Sequence, residues 1–337
     1  MWPRNRKVIN LALQGGGAHG AFTWGVLDRL LEDERLAIEG ISGTSSGAMN
    51  AAAVAYGLTV DGRSGARRIL AELWGRIGVN IPAHAPATNP HTIDRTLALE
   101  GTLALTRIFS PYQLNPLNLD PLREIVTSLF DFERLRNDCR VKLFIAATQV
   151  RTGKLRVFET RELSADMLLA SACLPSLHQA VIIDGEAYWD GGYAGNPALF
   201  PLFYKCDASD IIITLVHPLS SPELPTSASD IYYRTTKLSF GTTFLREMRT
   251  IAQAKSQVDR HVLSLSRLER RLRRLNVHLI EPDQRLSELD GTSMVDNRGD
   301  FLLWLREHGR TQADAWLNQN FDCLGKRSSI DIAGLFC

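Results

Sequence analysis

Gly43-Thr44-Ser45-Ser46-Gly47 is the pentapeptide on which chemistry can be built. It follows a short apolar run, Ile38 to Ile41, and precedes an alanine-rich stretch, Gly47 to Tyr56. That context puts G-x-S-x-G on a strand-to-helix turn, where a serine hydroxyl stands over the sheet end beside the positive end of a helix. Such a serine attacks an ester carbonyl when a neighbouring group takes its proton, and an acyl-enzyme results. A candidate acceptor is Asp190 in Asp190-Gly191-Gly192, directly after an expected hairpin, Val181 to Tyr188, with Asp184-Gly185 as its turn. Standing alone, Asp190 reads first as a turn residue supporting the two glycines.

A glycine loop, Gln14-Gly15-Gly16-Gly17-Ala18-His19-Gly20, lies between an apolar strand, Val8 to Leu13, and a helix from Ala21 to Leu31. Gly15, Gly17 and Gly20 satisfy G-x-G-x-x-G, the dinucleotide fingerprint. That fingerprint also needs an acidic residue about 20 positions on, at the end of the second strand. Here the second strand ends in Gly43-Thr44-Ser45, and Glu39 stands at its beginning. The other use of such a loop is an oxyanion hole, in which unhindered amides point at developing negative charge. The serine elbow on the next strand favours that use.

The remaining elements place these motifs. Arg67 to Ile77 reads as a helix, Val141 to Val150 and Leu155 to Phe158 as a hairpin, Ala165 to Cys173 as a short helix, and Ile211 to Val216 as a fully apolar strand. Strands alternating with helices across short glycine turns predict an α/β fold, a mostly parallel sheet with helices on both faces. Residues 80–121 hold six of the 14 prolines and the apolar run Leu103 to Phe109, a segment that reads as a lid or as a surface excursion.

Taken together, Gly15 to Gly20, Gly43 to Ala48 and Asp190-Gly191-Gly192, with Ala170-Ser171-Ala172, Leu174-Pro175 and Asn196-Pro197, resemble the patatin-like phospholipase family over about residues 8 to 217. The resemblance implies a three-layer sandwich and a Ser–Asp dyad without histidine. By position it makes Ser45 the nucleophile, Asp190 the proton acceptor, and the amides of Gly15, Gly16, Gly17 and Ala18 the oxyanion hole, with Gly20, Gly43, Gly47, Gly191 and Gly192 as motif support. Position 19 departs from the pattern, which has Arg or Lys there; His19 is read as bonded to a loop carbonyl. The activity implied is a serine lipid acyl hydrolase, of phospholipase A or lysophospholipase type, acting on lipid esters. No metal or cofactor is implied.

Three rivals use the same residues. An α/β-hydrolase triad would draw its histidine from His217, His261, His278 or His308. A nucleotide-binding module would use the glycine loop, and a degenerate scaffold would use neither motif. The chain of 337 residues is 45% apolar, with 38 basic and 37 acidic residues for a net charge of +1, which argues against a nucleic-acid binder. The five cysteines (139, 173, 206, 323 and 337) are scattered and read as reduced thiols of a cytoplasmic protein. The expected organisation is a catalytic domain, 8–217, and a mainly helical C-terminal region, 218–337, packed on it. Within the latter, 258–275 reads as one basic amphipathic helix striped by Leu265, Leu268, Leu272 and Leu275, with peripheral membrane contact as one use and a solvated face as the other. Phe301 to Leu305 and Ala313 to Leu317 read as a helix pair jointed at Gly309.

Overall fold

Side-chain alternation along the central strands explains the layering. In β1 (Lys7–Leu13), Ile9, Leu11 and Leu13 join one hydrophobic cluster, while Ala12 joins a second. In β7 (Asp210–Thr214), Ile212 faces the first cluster and Ile211 and Ile213 the second. Successive side chains of a strand point to opposite faces, so these strands are covered on both sides. The computed structural model describes residues 6–80, 105–106, 108–220, 224–260, 266–283, 286, 289 and 291–337.

The other strands are β2 (Leu36–Thr44), β3 (Lys142–Gln149), β4 (Leu155–Glu159), β5 (Val181–Ile183), β6 (Glu186–Asp190) and β8 (Asn276–Ile280). Their order is β5-β6-β3-β2-β1-β7-β8, with β4 also paired to β3. Strands β3, β2, β1, β7 and β8 run parallel, and β4, β5 and β6 pair antiparallel. All nine residues of β2 are buried. The predicted hairpin turn is present at Asp184-Gly185, with φ of 51° and 78°, the backbone a two-residue primed turn requires. β8 had no counterpart in the sequence reading. It extends the sheet beyond β7, so the region after 217 contributes a strand as well as helices.

On the first face lie α1 (Gly20–Glu32) and α2 (Ser46–Asn80), the latter broken at Asp61-Gly62 where the backbone leaves the helical region. Three short helices follow: α3 (Pro111–Leu114), α4 (Pro121–Leu129) and α5 (Phe132–Asp138), and then α6 (Ala165–Ser171). The second face is covered by α7 (Phe200–Lys205), α8 (Ala228–Asp259) and α11 (Ile332–Phe336), whose Leu202, Phe244, Met248 and Ile332 share one core. α9 (Arg267–Arg274) leads into β8, and α10 (Gly299–Asn320) packs on α1.

Two sequence expectations are corrected here. The helix pair jointed at Gly309 is the single helix α10. A Cβ at Gly309 would lie 2.0 Å from the Phe22 carbonyl oxygen, so the glycine serves a close helix crossing and not a joint. The single helix over 258–275 is instead the end of α8 at Asp259 and a separate α9 that starts after its own cap, Ser266. Leu268 is exposed while Leu275 is buried, so the leucine stripe is not one continuous face; Leu265 lies outside the described residues.

Charge ties α1 to its neighbours. Buried Asp28 accepts from Arg67 Nε at 2.6 Å and Arg306 Nη2 at 2.9 Å, and it pairs with Arg310. Burial alone would raise its pKa, but the hydrogen bonds from Arg67 and Arg306 outweigh this and lower it. A lowered carboxylate pKa contributes stability above the unfolded value, and that stability is lost as pH falls through the folded one. Asp28→Ala strands the guanidinium groups and is expected to cost about 3–5 kcal/mol. Thermal melts at pH 7 and pH 3 check this, with the gap between wild type and variant narrowing at the lower pH.

Candidate active site

Ser45 stands between the last residue of β2 and the first of α2, with φ of 54°. That left-handed value is uncommon for a non-glycine residue and marks the sharp turn of an elbow. The turn is locked from several sides. Ser45 N donates to Ser171 Oγ at 2.9 Å, and buried Ser171 comes from the end of α6. Thr44 Oγ1 donates to the Gly195 carbonyl at 2.7 Å. Gly43 and Gly47 flank the serine in contact with backbone, Gly43 against the Gly47 carbonyl and Gly47 against that of Leu13.

Sheet register brings Asp190 to the same level. Thr44 is opposite Ala146 on β3, and the next β3 residue, Ala147, is opposite Asp190 on β6. The Asp190 backbone is held by its amide donating to the Cys173 carbonyl at 2.8 Å and by its carbonyl accepting from Thr148 Oγ1 at 2.8 Å. Its side chain is buried. Oδ1 accepts from Gly192 N at 2.7 Å, and Oδ2 has no hydrogen-bond partner among the described residues. Burial pushes the carboxyl up to about 7, opposed by the Gly192 amide and by the neighbouring Ser45 hydroxyl. Gly191 packs on the Ala146 carbonyl, keeping β6 tight against β3 where the carboxylate emerges.

The glycine loop leaves β1 on the other side of Ser45. Gly15 N donates to Asn196 Oδ1 at 2.7 Å, and Gly16 N donates to Ser46 Oγ at 3.1 Å. Two of the four amides expected to face an oxyanion are therefore engaged within the protein. The amides of Gly17 and Ala18 have no partner among the described residues. Gly17 has φ of 58°, and a Cβ there would lie 2.2 Å from the Met294 carbonyl oxygen. Gly20 opens α1 against the side chain of Ser46.

Ser45, Asp190 and Gly15 to Gly17 line one cavity of about 670 Å3. Leu174, Leu177, Tyr193, Phe240 and Leu245 supply apolar wall, which suits an acyl chain. A model of the patatin-like phospholipase family matches residues 11–203, from within β1 to within α7. This chain belongs to that family. Among solved structures it is similar to VipD from Legionella pneumophila, at 15% identity and a TM-score of 0.44, over 94% of this chain and 67% of that one. No curated protein matches it. The patatin-like fold is present as a mostly parallel mixed sheet between helical layers, and family membership supports lipid acyl hydrolysis in general. Among the described residues, no helix is long and apolar enough to cross a membrane.

The histidines of the rival triad are dispersed in this patatin-like chain. His278 Nε2 lies 3.0 Å from Asp210 Oδ1 at the first residue of β7, the end of the strand away from the elbow. His308 Nδ1 lies 3.0 Å from the Trp304 carbonyl within α10, and His261 is outside the described residues. His217 does line the cavity, beside Gly16 and in edge contact with His19. His19 is buried and bonded to Ser293 Oγ at 2.7 Å, not to a loop carbonyl as read from sequence, because the segment 291–295 folds over the loop.

Other parts of the site carried no role in the sequence reading. Asn196 pins the glycine loop, Ser171 pins the elbow, and α8 forms a wall of the cavity through residues from Asp230 to Leu245. Of the predicted lid, 81–104 and 107 lie outside the described residues; Thr106 lines the cavity. α9 contributes nothing to the cavity lining and ends against the start of β8, which pairs Asn276 with Asp210.

Proposed function

We propose that the chain is a serine lipid acyl hydrolase that cleaves carboxylic esters through an acyl-enzyme on Ser45 and Asp190. The observation that carries the reading is a buried carboxylate with one unpartnered oxygen, at the level of a serine on a left-handed turn, in one cavity with Gly17, whose amide is unpartnered among the described residues. Asp190 takes the Ser45 proton as Oγ attacks the ester carbonyl. Negative charge collects on the carbonyl oxygen, and the amides of Gly17 and Ala18 receive it, while the bonded amides of Gly15 and Gly16 hold the loop in shape. As the tetrahedral adduct collapses, the C–O bond to the alcohol breaks and Asp190 gives that alcohol its proton. A water then attacks the acyl-serine as Asp190 takes its proton; the C–Oγ bond breaks, Asp190 returns that proton to Ser45 Oγ, and the fatty acid leaves.

The triad reading is disfavoured because Asp190 needs no histidine between it and the serine, and His217 stands on the glycine-loop side. The catalytic unit is taken as 8–217, with the remainder integral to the cavity through α8. Placed in the cytoplasm, the enzyme would meet lipid as dispersed molecules or at a membrane face. Any adsorption through the basic α9 is separate from substrate entry, since α9 lies at the other end of the sheet from the elbow.

Covalent labelling with a fluorophosphonate tests the reading directly: one adduct is expected, on Ser45 by peptide mass. An adduct on another residue that persists in Ser45→Ala sinks it. The loop makes a further expectation. Gly17→Ala puts a methyl group against the Met294 carbonyl at a positive φ, so the donor must shift. Losing one oxyanion donor typically costs about 10²- to 10³-fold in kcat. Steady-state kinetics on a soluble ester should show that loss in kcat, with a much smaller change in KM.

A further inference from the structure

One stripe of α8 changes character where it crosses the cavity. Phe244, Met248 and Ala252 recur at helical spacing and are buried in the second core. Carried toward the N-terminus, the same stripe gives Phe240, Lys237, Arg234 and Asp230, all of which line the cavity. A helix face that only closed the fold would stay apolar along its length. This one turns cationic over the elbow. Lys237 and Arg234 are half-buried, so their stems can lie on the apolar wall with the charged heads in the cavity. Asp230 is held at the helix start, its amide donating to Ser227 Oγ at 3.1 Å and its carboxylate accepting from that hydroxyl at 2.5 Å.

Among the described residues, the opposite wall of the cavity supplies no cation. His19 is buried and His217 half-buried beside the glycine loop; desolvation, and then other nearby positive charge, lowers both, His19 to about 3. Lys237 is one of the positive charges that lower both rings, and it lines the same cavity as Gly15 to Gly17. Cationic recognition next to the reacting ester therefore comes from α8, which is outside the matched segment 11–203.

The geometry points to Lys237, with Arg234 one helical turn away, as the specificity-determining pair that selects esters carrying an anionic phosphate over neutral esters. The inference rests on the serine hydrolase reading above. A phosphate beside the scissile ester would accept charge-assisted hydrogen bonds from the ammonium and guanidinium groups, and these are among the stronger ones available to a protein.

The test compares two short-chain, monomeric substrates with identical acyl groups, dihexanoyl phosphatidylglycerol and dihexanoylglycerol, so that adsorption to a surface plays no part. Wild type is expected to favour the phosphatidylglycerol in kcat/KM. Lys237→Gln should lower that preference ratio by roughly 10- to 100-fold, the loss of one charge-assisted bond. Lys237→Arg should restore most of it, and Arg234→Gln should lower it less. A wild type that prefers the neutral diglyceride overturns the proposal without any variant. So does a ratio that Lys237→Gln and Arg234→Gln leave within about threefold of wild type. No Ser45-dependent turnover of either ester overturns the hydrolase reading itself, a separate result.

Discussion

Ser45→Ala is expected to lower ester hydrolysis by about 10⁴- to 10⁶-fold, the range seen when a nucleophile is removed from a machine whose other parts remain. The alternative chemistry for the same residues is direct activation of water by Asp190, with Ser45 a spectator. In that case the variant would keep most of its activity, because the carboxylate, the loop amides and the cavity are all retained. The two mechanisms thus differ by orders of magnitude in one rate. Folding does not confuse the result. Alanine keeps the backbone that β2, α2 and the Ser171 hydroxyl impose, since Ser45 N, not its side chain, makes that bond. A melting temperature close to wild type together with loss of turnover is the expected pair. Hydrolysis within about tenfold of wild type would move the nucleophile elsewhere.

How much of this was legible in the sequence follows from how local each signal is. The elbow, the glycine loop and Asp190-Gly191-Gly192 are each contiguous and each sit at a strand end, so neighbouring residues announce them. Their meeting point depends on strand order and register: parallel β1 and β2 end along one edge, and antiparallel β6 reaches that level by pairing Asp190 with Ala147 near the end of β3. What could not be read is long-range. Asn196 and Ser171 stand in runs of small residues that give no hint of the loop and the elbow they hold. The polar stripe Asp230, Arg234, Lys237 reads as a solvated helix face unless the buried continuation Phe244, Met248, Ala252 is noticed at the same spacing. β8 is not legible because its five residues include a buried asparagine and a buried histidine, Asn276 and His278, whose cost is met by Asp210 on the next strand. In sequence Gly309 reads as a joint because glycine in a helix usually weakens it. At this crossing the close approach to α1 outweighs that cost. The identity of the oxyanion donors within Gly15 to Ala18 likewise turned on partners 30 and 181 residues away in the chain, Ser46 and Asn196.

Asp190→Asn should remove about 10²- to 10⁴-fold of the rate, the usual contribution of a positioned proton acceptor, and its pH behaviour separates a base from a merely structural carboxylate. Wild-type Asp190 must be ionised to accept the Ser45 proton. With its carboxyl raised to about 7, kcat/KM should fall about tenfold for each pH unit below that value and level off above it. The asparagine variant should lose this limb of the profile. Stability should move the other way. A carboxyl whose folded pKa lies above the ordinary 3.8 binds its proton more tightly when folded, so the folded state loses stability as pH rises from about 4 through 7. Asparagine carries no such charge and its amide can still accept from Gly192 N. Asp190→Asn should therefore melt above wild type at pH 8, with the difference shrinking toward pH 4. A catalytic group held at a cost to stability is the signature of a functional site. A variant less stable than wild type at pH 8, joined to a wild-type rate profile flat between pH 5 and 8, would make Asp190 a structural residue and leave Ser45 without its base.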